Sequence, residues 1–280
     1  MSSLSVLIGA AAVRLSAAGV PSPRHDAEAL AGHVLGVRRG QLPALANLTS
    51  RQAVAYDKLV TRRADREPLQ HLTGRVGFRR LDLAVGPGVF IPRPETEVVV
   101  EWCLGGLPPG GTAVDLCAGS GAIALALAGE GAGAMVFAVE KDPTAYRWLQ
   151  RNAVGSGVHC LPVDIAEIPS VVPHLLGAVD VVVSNPPYIP LGSQPLEPEV
   201  ARYDPAVALW GGRDGLDVVR TVQRVARQLL ACGGRLAIEH ADSQGAAVPA
   251  LLADAGGWTD VADHRDLTGR DRFATAVWAG

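Results

Sequence analysis

Lysine is nearly absent from this 280-residue chain, and Phe, Tyr and Trp together make up only 5% of it. The lysine scarcity, beside abundant Ala, Gly, Val and Arg, reads as compositional bias without functional content. The aromatic scarcity excludes more. Proteins that read nucleic acid interleave basic and aromatic residues, and no aromatic stripe accompanies the arginines here. Cysteine is sparse as well. Cys103, Cys117, Cys160 and Cys232 form no Cys-x-x-Cys pair and have no His cluster at ligand spacing, so neither a zinc site nor another metal centre is expected. Reduced thiols in a cytoplasmic protein are the expectation. Long apolar runs are missing too. Leu4 to Val20 is broken by Arg14 and has no basic residue before it, a poor signal peptide. Gly121 to Val139 contains Glu130 and a Gly-Ala-Gly break, so no membrane span is predicted.

What is present suits a globular fold. Hydrophobic residues make up 48% and charged residues 19%, enough apolar material for a full core. The net charge of -3 hides an asymmetry: residues 1–80 hold 12 Lys and Arg against 5 Asp and Glu, and the remainder is acidic. A basic first part can face an acidic partner. Arg38, Arg39, Arg62 and Arg63 are the candidates for such a face, and an Arg-rich solvated helical surface is the plainer reading.

The first seventy or so residues have helical periodicity and no strand signal. Leu4, Leu7, Ala11 and Leu15 share one face, a helix over His25 to Val37 turns Leu30, Val34 and Leu35 inward, and Ser50 is read as the cap of a third. Residues 76–91 switch to period two around Gly86-Pro87-Gly88, a hairpin-like connector. Glu95-Thr96-Glu97 then opens a helix with an acidic first turn. Thr96 and Glu97 either line a pocket or cap that helix, and the cap is the favoured reading. From Thr112 strands and helices alternate, with strands near 112–116, 134–139, 158–163, 179–184, 234–239, 258–263 and 272–278. Such alternation implies a mostly parallel, doubly wound α/β sheet. The expected domains are a helical substrate-recognition domain over 1–74, a connector over 75–92 and a catalytic domain over 93–280.

Ligands of doubly wound sheets bind beyond the carboxyl ends of the strands. Three ends carry suitable chemistry. Cys117-Ala118-Gly119-Ser120-Gly121 follows the first strand, and small residues let the backbone approach a ligand closely. Glu140 ends the second, where a carboxylate can accept both ribose hydroxyls of an adenosine-type cofactor. Asp164 ends the third and can accept from an adenine amino group, with Ile165 as an apolar wall. The glycine spacing of a dinucleotide fingerprint is missing, which argues against NAD.

The fourth strand runs into Asn185-Pro186-Pro187-Tyr188, a tetrapeptide that chance places in roughly one chain in a thousand of this length. Two prolines fix the backbone and remove two N–H donors. The Asn185 side-chain oxygen and the Pro186 carbonyl can take both hydrogens of an NH2 group, and Tyr188 can pack on a flat substrate. An amide nitrogen is a poor nucleophile. Orienting it supplies effective molarity, and acceptors aimed at it stabilise the charge that develops during attack.

These motifs, with Gln70-His71-Leu72-Thr73-Gly74, Phe90-Ile91-Pro92-Arg93-Pro94-Glu95-Thr96-Glu97 and Asp266-Leu267-Thr268-Gly269-Arg270-Asp271-Arg272, resemble the release factor glutamine methyltransferases of the HemK/PrmC type over nearly the whole chain. The resemblance implies a seven-stranded Rossmann-like methyltransferase sheet and S-adenosylmethionine as cofactor. It implies methyl transfer to the glutamine side-chain nitrogen in the Gly-Gly-Gln motif of peptide chain release factors. It places the cofactor on Cys117 to Gly121 and Glu140, bordered by Asn185, and the glutamine on Asn185 to Tyr188. Cys117 and Ile165 depart from the pattern, which often has Gly at the first position and in some members an aromatic at the second. A ribosomal-protein glutamine methyltransferase and a nucleic-acid amino-group methyltransferase are the alternatives.

Overall fold

The computed structural model describes residues 3–193 and 197–280. The chain divides into two compact units. The first holds the N-terminal helices up to Arg75 together with a short later segment ending at Tyr203. The second holds the rest.

In the first unit α1 (Leu4–Ala17), α2 (Pro23–Leu35), α3 (Ser50–Ala64) and α4 (Leu69–Thr73) enclose a core. Leu4, Ile8, Ala11 and Leu15 of α1 recur every three to four residues and are buried, the stripe that a 3.6-residue repeat presents to a core. Leu7, expected on that face, is only partly buried beside it. Thr49, not Ser50, caps α3: its hydroxyl accepts from Gln52 N–H while the Gln52 side chain returns to the Thr49 N–H, a reciprocal capping box. The buried face of α3 is Tyr56, Val60 and Arg63.

Arg63 departs from the surface role expected of it, since only 5% of it is exposed. Its Nε donates to Asp26 Oδ2 at 2.8 Å, and Nη1 donates to the Glu67 carbonyl and to Glu199 Oε1, each at 3.0 Å. Arg66 completes the pairing with Glu199, and Arg62 pairs with Glu67. Two of the expected surface cations, Arg62 and Arg63, are thus bound to carboxylates of the same unit.

The second unit begins at Val76, within β1 (Arg75–Phe78), which forms a two-stranded hairpin with β2 (Leu81–Ala84). The hairpin reverses at Arg79-Arg80, with Arg79 at φ 50°, and not at Gly86. Arg79 is held there by Glu97, Glu101 and Glu130. There follow α5 (Glu97–Leu104), β3 (Thr112–Leu116), α6 (Ala122–Glu130), β4 (Met135–Val139), α7 (Pro143–Asn152), β5 (His159–Leu161), α8 (Ile168–Val171) and β6 (Val179–Ser184). The segment α9 (Pro198–Tyr203) packs with the first unit, and the chain returns through α10 (Ala206–Leu209), α11 (Asp217–Leu229), β7 (Leu230–Glu239), α12 (Ala247–Ala255), β8 (Trp258–Arg265) and β9 (Asp271–Trp278).

The seven strands lie in the order β5-β4-β3-β6-β7-β9-β8, parallel as far as β7, with β9 antiparallel to both β7 and β8. Period-two alternation builds two core layers. Val114, Leu116, Val139 and Val182 face one layer with α11 and α12, while Ala113, Val136, Val181 and Val183 face the other with α5 and α6. Among the described residues no helix is long and apolar enough to cross a membrane.

Removing one partner of a buried ion pair leaves the other charge uncompensated, at a cost of about 3–5 kcal/mol. Arg63→Ala is therefore expected to lower stability by about that amount, whereas Arg38→Ala at an exposed position stays within ~0.5 kcal/mol. Denaturant titration of both variants checks this.

Candidate active site

The first and fourth strands of the parallel run meet at their carboxyl ends. After β3 the chain moves to β4 and β5 on one side, then returns to β6 on the other, so the switch point lies between β3 and β6. Leu116 pairs with Ser184, whose Oγ donates to the Leu116 carbonyl at 2.6 Å. The turn that leaves β3 therefore emerges beside the loop that leaves β6.

The turn after β3 is built on left-handed residues: Cys117 at φ 66°, Gly119 at 57° and Gly121 at 87°. Ala118 N–H donates to the Val139 carbonyl, tying the turn to β4. Gly119 N–H donates to Glu140 Oε2 at 2.9 Å, and Asp142 N–H to Glu140 Oε1 at 2.7 Å. Glu140 thus reaches the turn and holds its backbone. Burial raises its pKa, against those two N–H groups. Ser120 is buried, and its carbonyl accepts from Asn152 Nδ2. A Cβ on Gly119 would meet no protein atom within 4 Å, so the turn exposes its backbone to open space at that residue.

Cys117 occupies a conformation that glycine adopts freely, which gives its departure from the family pattern a physical meaning. Burial, followed by the Glu140 and Asp115 carboxylates, pushes its thiol up to about 12, so it stays neutral. Asp164 accepts from Ala166 N–H and from Lys141 Nζ, each at 3.0 Å. The Ala166 N–H, then Lys141, hold its carboxyl below the usual range. Ile165 is 7% exposed and belongs to a core layer, so little of its side chain remains for an external ring.

In the loop after β6, Pro186 is buried while Asn185, Pro187 and Tyr188 are half-buried. The Tyr188 carbonyl accepts from Gln244 Nε2 at 3.1 Å, and burial pushes the Tyr188 phenol up, keeping it neutral. The following residues are laced to 209–212: Ile189 N–H donates to the Leu209 carbonyl, Gly211 N–H to that of Ile189, and Leu191 N–H to that of Gly212. Gly211 and Gly215 press against the loop backbone. A Cβ on Gly211 would lie 2.6 Å from the Pro187 oxygen, and one on Gly215 would overlap the Tyr188 oxygen.

Further residues hold places in this site that the sequence motifs do not assign to them. Thr96 does not cap its helix. It is buried, and its Oγ1 accepts from Asn185 Nδ2 at 3.4 Å. Glu97 instead accepts from the Arg79 N–H at the hairpin turn. Asp115 is buried with Oδ2 on Ala124 N–H, its other oxygen has no partner, and burial raises its pKa to about 8. Glu239 ends β7 beside Asn185, and burial raises it to about 7 against the Thr96 hydroxyl and Arg272. Arg272 is oriented by two 3.0 Å bonds to Asp266. Asp115 and Glu239 were findable, since both sit at or beside a carboxyl strand end like Glu140. His240 is fully buried between Asp263 and the Ala241 carbonyl, in keeping with a structural histidine.

A mixed seven-stranded sheet with its switch point at a glycine-bearing turn defines a Rossmann-like methyltransferase domain. Residues 96–194 match the family described as the methyltransferase small domain, and residues 7–74 match the PrmC N-terminal domain. The release factor glutamine methyltransferase of Mycolicibacterium smegmatis is 49% identical, with 99% of this chain and 98% of that protein covered. That of Streptomyces coelicolor is also 49% identical, with the same shares covered. The solved structure of PH0851 aligns with a TM-score of 0.51 at 17% identity over 68% of this chain and 47% of its own, a likeness of fold alone. The chain belongs to the release factor glutamine methyltransferase family.

Two substitutions test the backbone argument. Gly211→Ala is expected to displace the Asn185–Tyr188 loop and lower methyl transfer at least tenfold while cofactor affinity stays within about twofold, read by steady-state kinetics beside calorimetry. Cys117→Gly is expected to leave stability nearly unchanged, whereas Cys117→Val, β-branched at positive φ, lowers it by about 1–2 kcal/mol. Thermal unfolding of the two variants distinguishes these outcomes.

Proposed function

We propose that this protein transfers a methyl group from S-adenosylmethionine to the side-chain amide nitrogen of the glutamine in the Gly-Gly-Gln motif of peptide chain release factors. The observation that carries the reading is the Asn185-Pro186-Pro187-Tyr188 loop standing at the end of β6 beside the Cys117–Gly121 turn of β3. Relatives covered from end to end bear the name of this activity. Neither alternative substrate class is favoured by a specific observation.

The residues present suit an adenosine-type cation. The backbone at Gly119 faces open space, Glu140 keeps lone pairs beyond its two N–H partners, and one Asp115 oxygen has no partner. Cys117 to Gly121, Glu140 and Asp164 would hold it, with Ile165 and Asn185 at its border. Bound there, S-adenosylmethionine supplies an electrophilic methyl group on sulfonium. The Asn185 Oδ1 and the Pro186 carbonyl accept the two amide hydrogens of the glutamine, which fixes the nitrogen and favours the positive charge that grows on it. Tyr188 packs on the planar amide as a neutral phenol. The product loses its extra proton to water, so no strong base is required. The helical unit serves substrate recognition, through arginines other than the buried Arg63.

Incubation with methyl-labelled S-adenosylmethionine and a release factor is expected to label the factor, and not the same factor with its Gly-Gly-Gln glutamine changed to alanine. Asn185→Ala is expected to reduce transfer by about 10²-fold or more. Label appearing instead in ribosomal protein or nucleic acid would overturn the substrate assignment.

A further inference from the structure

Asn185 can serve a glutamine NH2 only if its amide stands one way round, with the oxygen toward the substrate and the nitrogen toward the protein. An asparagine side chain is nearly symmetric in shape, so its hydrogen-bond partners decide the orientation. The inward side of Asn185 holds Thr96 Oγ1, at 3.4 Å from Nδ2. A hydroxyl cannot decide it alone, because it both donates and accepts. The neighbouring strand supplies a group that can. Ser184 pairs with Ile238 in parallel register, so the residues that follow them, Asn185 and Glu239, leave adjacent strands together. Glu239 is 2% exposed, and its Oε2 has no hydrogen-bond partner.

We infer that Glu239 is a positioning residue for methyl transfer: its buried carboxylate, with Thr96, accepts from the Asn185 Nδ2 group and so turns Asn185 Oδ1 outward to receive the substrate amide. This deepens the proposed function and rests on it. An ionised carboxylate accepts only, and it therefore excludes the flipped amide. Once protonated it donates, Asn185 Oδ1 can turn inward, and an N–H is left facing the substrate NH2. Burial, adjusted by the Thr96 hydroxyl and the surrounding charges, sets where this happens. Arg272 of β9, held by Asp266, favours the anion, and Glu95 ahead of α5 opposes it. Tyr188 stays a neutral phenol. Burial dominates and leaves Glu239 at about 7, well above its ordinary range. The active, ionised form therefore exists above that value and is lost as pH falls through it.

Two readouts test this on the full chain. In the first, wild-type kcat/KM for a release factor is expected to fall about tenfold per pH unit below neutrality. Glu239→Gln loses that limb and drops at least tenfold at pH 8, while its cofactor affinity stays within about twofold. Thr96→Val shows a smaller loss at pH 8, and Thr96→Ser regains most of it. In the second, the Asn185 side-chain amide resonance, assigned by its loss in Asn185→Ala, is expected to titrate near neutral pH in wild type and not in Glu239→Gln. An Asn185 resonance that ignores pH, or Glu239→Gln with wild-type kcat/KM and pH limb, would overturn the inference. Absence of transfer to the release factor by wild type while the resonance still titrates would instead overturn the substrate reading and leave the positioning role standing.

Discussion

β3 and β6 lie side by side although β4 and β5 intervene in the chain, and their parallel pairing determines where the chemistry converges. Parallel strands release their following loops at the same edge. The glycine-bearing turn after Leu116 and the proline-rich loop after Ser184 are therefore neighbours by topology, before any side chain is considered. The Ser184 hydroxyl on the Leu116 carbonyl then fixes their register at the last residue of each strand. The two core layers act on the same requirement. They hold Val114, Leu116 and Val182 from one face and Ala113, Val181 and Val183 from the other, so neither strand can slip without moving a full set of side chains to the wrong layer.

That edge concentrates buried carboxyls. Asp115, Glu140 and Glu239 all have pKa values raised chiefly by burial, and at Asp115 and Glu239 an oxygen lacks a partner. A raised folded-state pKa means that the native protein holds the proton more tightly than the unfolded chain. The stability these groups contribute is full below the ordinary carboxylate range and is lost as pH rises through about 7 for Glu239 and about 8 for Asp115. Anything that binds only the native state and brings positive charge to this edge opposes that loss. The edge is thus less stable than it could be, in the way that suits a cationic methyl donor.

Much of the fold was legible because hydrophobic period is a local property. The alternation in Thr112 to Leu116 and Val179 to Ser184 follows from two-faced burial, and the stripe on Leu4 to Ala17 from one-faced burial. What escaped depends on partners distant in sequence. The hairpin turns at Arg79 because three glutamates from α5 and α6 hold its guanidinium and backbone there, whereas Gly86-Pro87-Gly88 looked the more obvious turn. Arg63 looked like surface because arginine ordinarily is, and the carboxylates of Asp26 and Glu199, 37 and 136 residues away, make its burial tolerable.

The same division runs through the site. Asn185, Pro186 and Tyr188 could be picked out because one contiguous loop carries the groups that would meet the substrate, and prolines declare their effect on the backbone locally. The groups that hold the loop were harder to pick out. Thr96 comes from the entrance of α5, Glu239 from β7, Gln244 from beyond it, and Gly211 and Gly215 from the return of the chain. Each looks ordinary in its own stretch of sequence: a helix cap, a strand end, a polar turn, flexible glycines. Their significance arises from distances of a few ångströms that only the sheet order creates. A motif therefore names the atoms that would touch a substrate, while the topology selects the atoms that orient them. For an asparagine, whose two faces differ only in which one donates, orientation decides whether the motif can work at all.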